Sequence, residues 1–260
     1  MIIRVNNILM PIILLLLIST SAAGNTREIV FATESWAAAT EKDGTGLYWD
    51  IMRSVYEPEG IKVRWVIKSY AAAVKLIEMK KADAVIGAYA GEIDNAIYPE
   101  YHFALDVVKA VAPQKKNIKW IGEKSLADKK VGWIKGYSFE NYLDVSLKKY
   151  EIYNRKTALK VLDRGRIDFY LDAAADLSDY LKKHPEENNK FDQWILKKLK
   201  LYVAFRNDAK GQTLAQIFDR RFGILLKNGT INKLYDTYIN DKQANFTNPF
   251  PRTDSKATTD

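Results

Sequence analysis

EIVFAT at residues 28–33, IKVRWVI at 61–67 and AVIG at 84–87 are three short apolar runs separated by longer stretches of helical pattern. The first and third are β-branched or small almost throughout, as in strands covered on both faces. The second alternates, with Ile61, Val63, Trp65 and Ile67 on one side and Lys62, Arg64 and Val66 on the other, which is the period of a strand. Between the first two, Leu47, Ile51, Met52 and Val55 share one helix face. Gly44 and Gly46 precede that helix, and Pro58 and Gly60 end it. Tyr70 to Lys81 is alanine-rich and predicts a second helix. Strand, helix, strand, helix, strand argues for a parallel sheet covered by helices. The loops at the carboxyl ends of such strands carry function. Glu34 to Trp36, Ser69-Tyr70 and Tyr89 to Asp94 therefore gather on one edge.

The pattern restarts further on. KVGWI at 130–134 predicts a strand, and Gly136 permits a tight turn into a helix at Ser138. Ala158 to Leu162 is helical, Arg164-Gly165-Arg166 stops it, IDFYL at 167–171 is a strand, and a helix runs from Ala173 to Lys183. LYVAF at 201–205 is one more strand. Two closing helices carry apolar faces, one of Leu214, Ile217, Phe218 and Phe222, the other of Ile231, Leu234, Tyr235 and Tyr238.

Composition narrows the function. The chain has 260 residues, 47% of them hydrophobic, which excludes a disordered chain. It contains no cysteine, so disulfides, thiolate metal sites and cysteine nucleophiles are ruled out. Two histidines, His102 and His184, cannot make a three-histidine zinc site, and no calcium-loop pattern occurs. No cofactor is expected. Lys plus Arg exceeds Asp plus Glu by 40 to 32. The lysines are dispersed, however, and pairs such as Lys197-Lys198 read as solvated faces of helices and turns, so no nucleic-acid partner is expected. Arg4, the apolar run Ile8 to Ile18 and the small residues Ser19 to Ala23 read as a cleavable secretory signal over 1–23. Residues 251–260 read as a disordered polar tail.

The order of these pieces resembles the family 3 extracellular solute-binding proteins, the amino-acid type of periplasmic binding protein. Five stretches carry the likeness: GLYWDIMR at 46–53, MKKADAVIG at 79–87, KSLADKKVGWIKGYS at 124–138, DRGRIDFYLD at 163–172 and LKNGTINKLY at 226–235. The resemblance implies a two-lobed α/β fold of the type II periplasmic binding protein class, with hinge crossovers near Val111 to Pro113 and near Leu201 to Ala204. Lobe 1 would comprise 26–112 and 201–250, and lobe 2 would comprise 113–200. It further implies a periplasmic, monomeric, non-enzymatic protein that traps a small molecule by hinge closure. A membrane permease or a sensor would be its partner. The rival readings are an enzyme on the same fold, similar to cyclohexadienyl dehydratases and using a cleft carboxylic acid, and a signalling partner module.

In this family an arginine in a T-p-e-R segment clamps the ligand carboxylate. The corresponding stretch here, AYAGEIDNAIYP at 88–99, has neither arginine nor lysine and carries Glu92 and Asp94 instead. The family's aspartate for the ligand amine matches Asp172, which also precedes a helix and has the alternative role of an N-cap. Trp36, Tyr70 and Tyr89 stand at the lobe 1 loop positions, where they either face a ligand cation or pack the lobe. Glu34 adds charge there or is solvated. Tyr137 and Ser138 stand at the turn of lobe 2 that faces the cleft, where backbone N–H groups at a helix start favour an anion. Glu34, Glu92, Asp94 and Asp172 together would make the cleft acidic and its ligand amine-bearing. On this reading Asp172→Ala loses affinity and leaves folding intact.

Overall fold

The computed structural model describes residues 27–242 and 244–250. The signal reading at 1–23 and the tail reading at 251–260 lie outside them. Among the described residues no helix is long and apolar enough to cross a membrane.

The chain opens with β1 (Arg27–Thr33), α1 (Leu47–Tyr56), β2 (Ile61–Ile67), α2 (Tyr70–Glu78) and β3 (Ala84–Tyr89). β1 pairs in parallel with both β2 and β3, as the alternation requires. Then come β4 (Ala104–Pro113), β5 (Lys130–Ile134), β6 (Lys148–Ile152), α3 (Arg155–Asp163), β7 (Phe169–Ala173) and α4 (Ala174–Lys183). β5 pairs in parallel with β6 and β7. β8 (Phe191–Phe205), α5 (Ala209–Lys227) and α6 (Thr230–Asp236) follow. The eight strands form one curled sheet in the order β2-β1-β3-β8-β4-β7-β5-β6.

β4 and β8 join the two halves. Leu201 to Phe205 of β8 lies antiparallel to β3, while Phe191 to Leu201 lies along β4. Val108 to Val111 of β4 already pairs with β7.

Each lobe has its own reason to fold. In lobe 1, Phe31, Trp49 and Tyr56 are fully buried, with Phe31 6.3 Å from Trp49 and 5.8 Å from Tyr56. Each such side chain contributes roughly 2–3 kcal/mol by leaving water. The closing helices return to the same lobe. Tyr56 Oη donates to the Leu214 carbonyl at 3.0 Å and Tyr235 Oη donates to the Phe103 carbonyl at 2.9 Å. Asp83 adds a polar tie, accepting from Val30 N at 2.9 Å and Lys210 Nζ at 2.7 Å. Lobe 1 is thus discontinuous in sequence.

Three local readings change. The helix expected at Ser138 is a single 3₁₀ turn over Phe139–Tyr142. Lys197 and Lys198 are on β8, paired with Val108 and Val107, not on a helix or turn. β6 (KKYEI) has no counterpart among the expected strands; its first four residues are exposed.

Candidate functional site

The cleft is built from the loop ends predicted for lobe 1. β3 ends at Tyr89, and the turn after it brings Glu92 back beneath the strand. Glu92 Oε2 accepts from Tyr89 N at 2.9 Å and from Tyr70 Oη at 2.7 Å. Glu34 Oε2 lies 3.4 Å from Tyr70 N, at the first turn of α2. Gly87 sits at φ +90°, and a Cβ there would come within 2.6 Å of the Trp36 ring. The missing side chain lets the indole lie against the strand.

Lobe 2 supplies the opposite wall. Asn154 caps α3 by accepting from Thr157 N at 2.9 Å, so Arg155 becomes the first residue of that helix. Its guanidinium grips Asp172 at the end of β7 through Nε–Oδ2 at 2.7 Å and Nη2–Oδ1 at 3.1 Å. It also donates to Asp176 in the first turn of α4. Tyr170 Oη adds a bond to Asp172 at 2.8 Å, and Ala173 N adds one at 3.0 Å.

The lobes touch across the cleft. Trp36 Nε1 donates to Tyr137 Oη at 3.3 Å, and the Tyr70 and Tyr137 rings meet edge to face at 5.9 Å. Tyr142 Oη donates to the Ala90 carbonyl at 3.2 Å. Gly136 has φ +95°, and a Cβ there would sit 2.9 Å from the Ala71 Cβ of α2. Gly136→Val is therefore expected to wedge the lobes apart and weaken ligand capture by about tenfold or more, since closure and binding are one equilibrium. Calorimetry on the variant, with circular dichroism to confirm folding, checks this.

Between the walls lies a cavity of about 70 Å³. Trp36, Tyr70, Tyr89, Glu92 and Tyr137 line it, as does Gly87. Asp106 and Asp176 reach it as well, together with Tyr48 and Phe246. Four of the carboxyls around the cleft are held above their ordinary range. Burial pushes Glu92 up to about 7 against the bonds from Tyr89 and Tyr70. Burial pushes Asp106 up to about 6, although Tyr89 Oη donates to it at 2.5 Å. Burial pushes Asp176 up to about 7 despite the Arg155 charge. Burial also raises Glu34, again against Arg155. Burial opposes the Arg155 charge, but Asp172 and Asp176 outweigh it and hold the guanidinium firmly protonated. One buried cation thus faces Glu34, Asp106, Asp172 and Asp176, with Glu92 close by. Among the described residues no group of His, Asp or Glu is arranged to hold a metal ion.

Four sequence-based expectations change here. Asp94 is exposed and borders a separate hollow with Arg206 and Asp208, away from the cleft. Asp172 is fully buried and is not among the cavity-lining residues; its two oxygens are committed to Arg155, Tyr170 and Ala173. It is also not the cap of α4, a position held by Ala173 with no side-chain bond. Ser138 precedes the 3₁₀ turn, and its backbone N–H bonds Glu92, while its side chain is not a wall of the cavity. The residues missed are Asp106, Arg155, Asp176, Tyr48 and Phe246. Asp106 had a signal, a lone acid in the otherwise apolar start of ALDVV, and Asp176 follows Asp172 by four residues. Phe246 had none.

The architecture has solved counterparts. A mutant of ArgBP from T. maritima aligns with a TM-score of 0.63 at 14% identity, covering 82% of this chain and 95% of that one. An ABC uptake transporter substrate-binding protein from Streptococcus pneumoniae with bound histidine aligns at 0.62 and 19% identity, over 84% and 94%. The GluR0 ligand-binding core from Nostoc punctiforme in complex with (L)-glutamate aligns at 0.61 and 19%, over 81% and 98%. No family model matches the chain, and no curated protein matches it by sequence. The fold is that of a type II periplasmic binding protein, with two lobes, two crossover strands and a discontinuous first lobe.

Proposed function

We propose that the chain is an exported solute-binding protein that closes its lobes on a small amine-bearing metabolite and presents it to a membrane permease or sensor. One observation carries the choice of ligand: an aromatic-walled cavity edged by Glu92, Asp106 and Asp176, where burial outweighs the Arg155 charge and keeps the last two raised. A buried excess of carboxyl over guanidinium holds protons until a cation replaces them. The ring faces of Trp36, Tyr70, Tyr89 and Tyr137 suit the apolar flank of an ammonium. Glu34 and the Ser138 N–H support the wall from behind. Lobe 1 is taken as 26–112 with 201–250 and lobe 2 as 113–200, moving as hinged bodies on β4 and β8. Export follows from the signal reading at 1–23. Likeness in architecture to transporter-associated binding proteins supports the same role.

Calorimetry with a panel of primary amines, amino acids and dicarboxylates tests the reading. Amines are expected to bind, and dicarboxylates are not. Tight binding of a simple dicarboxylate with no amine binding overturns it. A second reading, an enzyme using a cleft acid, draws on Glu92, whose carboxyl near 7 is matched to general acid work. Turnover of prephenate or arogenate, followed by absorbance, would replace the binding role with that one.

A further inference from the structure

A second hollow of about 350 Å³ adjoins the first. Tyr48, Asp106, Ala175 and Phe246 line both, so these residues form the partition between them. The chemistry on the two sides is opposite. The inner cavity meets Glu92 and Asp176, whereas the outer one meets Lys109 and Lys198 across a floor of Leu105, Val107 and Ile195. Val107 pairs with Lys198, and Lys109 pairs with Ile195, so β4 and β8 bring both lysines to the same hollow. Among the described residues Lys109 Nζ donates only to the neutral Gln193 side chain, at 3.0 Å. Lys198 has no carboxylate partner among the described residues. The segment after α6 roofs the partition. Asn245 Nδ2 donates to Ser178 Oγ of α4 at 3.0 Å, and the Phe246 ring lies 5.8 Å from that of Tyr48.

We propose that the outer hollow is a second ligand subsite, taking an anionic group joined by an apolar chain to the amine held in the inner cavity. The inference rests on the solute-binding reading and narrows the ligand to an elongated zwitterion. The ammonium replaces protons at Glu92, Asp106 and Asp176. The chain passes Phe246 along Leu105 and Val107. The anion lies between two ammonium groups that have no carboxylate ion pair among the described residues. Both ends of such a ligand are charge-matched, and the partly exposed apolar floor of Leu105, Val107 and Ile195 favours methylenes over polar spacers.

Calorimetry with two probe series of matched length, straight-chain primary amines and ω-amino carboxylates, tests the subsite. The amino carboxylates are expected to bind about tenfold tighter than the matched amines at one optimal length, a difference typical of one good charge contact. The double variant Lys109→Met, Lys198→Met is expected to erase that gain while leaving amine affinity within about twofold. Equal affinity of the two series at every length, or a gain that survives in the double variant, overturns the subsite and leaves amine capture standing. Failure of both series to bind overturns the amine reading as well.

Discussion

Asp172→Ala is expected to lower the unfolding free energy by about 3–5 kcal/mol, the range seen when one member of a buried ion pair is removed. The expectation from sequence was loss of ligand with folding intact. The geometry argues otherwise. Asp172 is fully buried, and the Arg155 side chain is 19% exposed. Two charge-assisted bonds join them, and Tyr170 adds a third bond to the same carboxylate. Without the carboxylate, the guanidinium keeps Asp176 alone, and Tyr170 Oη loses its acceptor. Denaturant unfolding of the wild type and variant measures the loss. A double change, Asp172→Leu with Arg155→Met, is expected to recover most of it, because a packed apolar pair of similar size avoids the desolvation of two ions. A single variant within about 1 kcal/mol of wild type would show that Asp172 is not a structural anchor.

Glu92→Gln is expected to have two opposite effects. The Glu92 carboxyl stands at 4.5 in an ordinary setting and at about 7 in the fold. The folded chain therefore binds that proton more tightly than the unfolded chain. Its contribution is complete below about pH 4.5 and is lost as pH rises through about 7. The span amounts to about 3 kcal/mol for this group. Asp106, raised from 3.8 to about 6, acts in the same direction over a lower window. Ligand-free protein is thus expected to melt at a lower temperature at pH 8 than at pH 5. Glu92→Gln keeps an acceptor for Tyr70 Oη and Tyr89 N yet carries no charge, so it flattens the profile and is the more stable form at pH 8. The same change removes a partner of the ligand cation, and amine affinity is expected to fall by about 10–100-fold, the cost of one charge-assisted bond. Melting scans across pH, paired with calorimetry, read both effects. A variant that loses stability at pH 8 and keeps its affinity contradicts the assignment.

The residues explain which parts of this were legible in sequence. β1, β2 and β3 were readable because buried strands must be apolar, and Ile61 to Ile67 shows its two faces directly. β6 was not, because KKYEI pairs along one edge and leaves four of five side chains in water. The first ten residues of β8 were hidden for a related reason. Ile195-Leu196, Lys197-Lys198, Leu199 and Lys200 break the period of two on a strand whose outer part is partly solvated. The aromatic and acidic ring of Trp36, Tyr70, Tyr89, Glu92 and Tyr137 was legible because loops at strand ends must converge in a parallel sheet. Arg155 was not, since its role depends on Asn154 starting α3 at that residue and on β7 delivering Asp172 beside it. Such a pairing is a property of three-dimensional placement. Asp172 shows the converse: a motif position was placed correctly, but its chemistry was taken up by a neighbour from the same lobe.

A cleft that exchanges protons for an ammonium must release them when it fills. The most direct measurement is calorimetric titration of the tightest-binding amine at pH 6.5 in two buffers of different ionisation enthalpy. Release of roughly one proton per amine bound is expected, because Glu92, Asp106 and Asp176 are partly protonated there and an adjacent cation lowers their pKa values. Proton uptake on binding, or none, would contradict capture of a cation by these carboxyls.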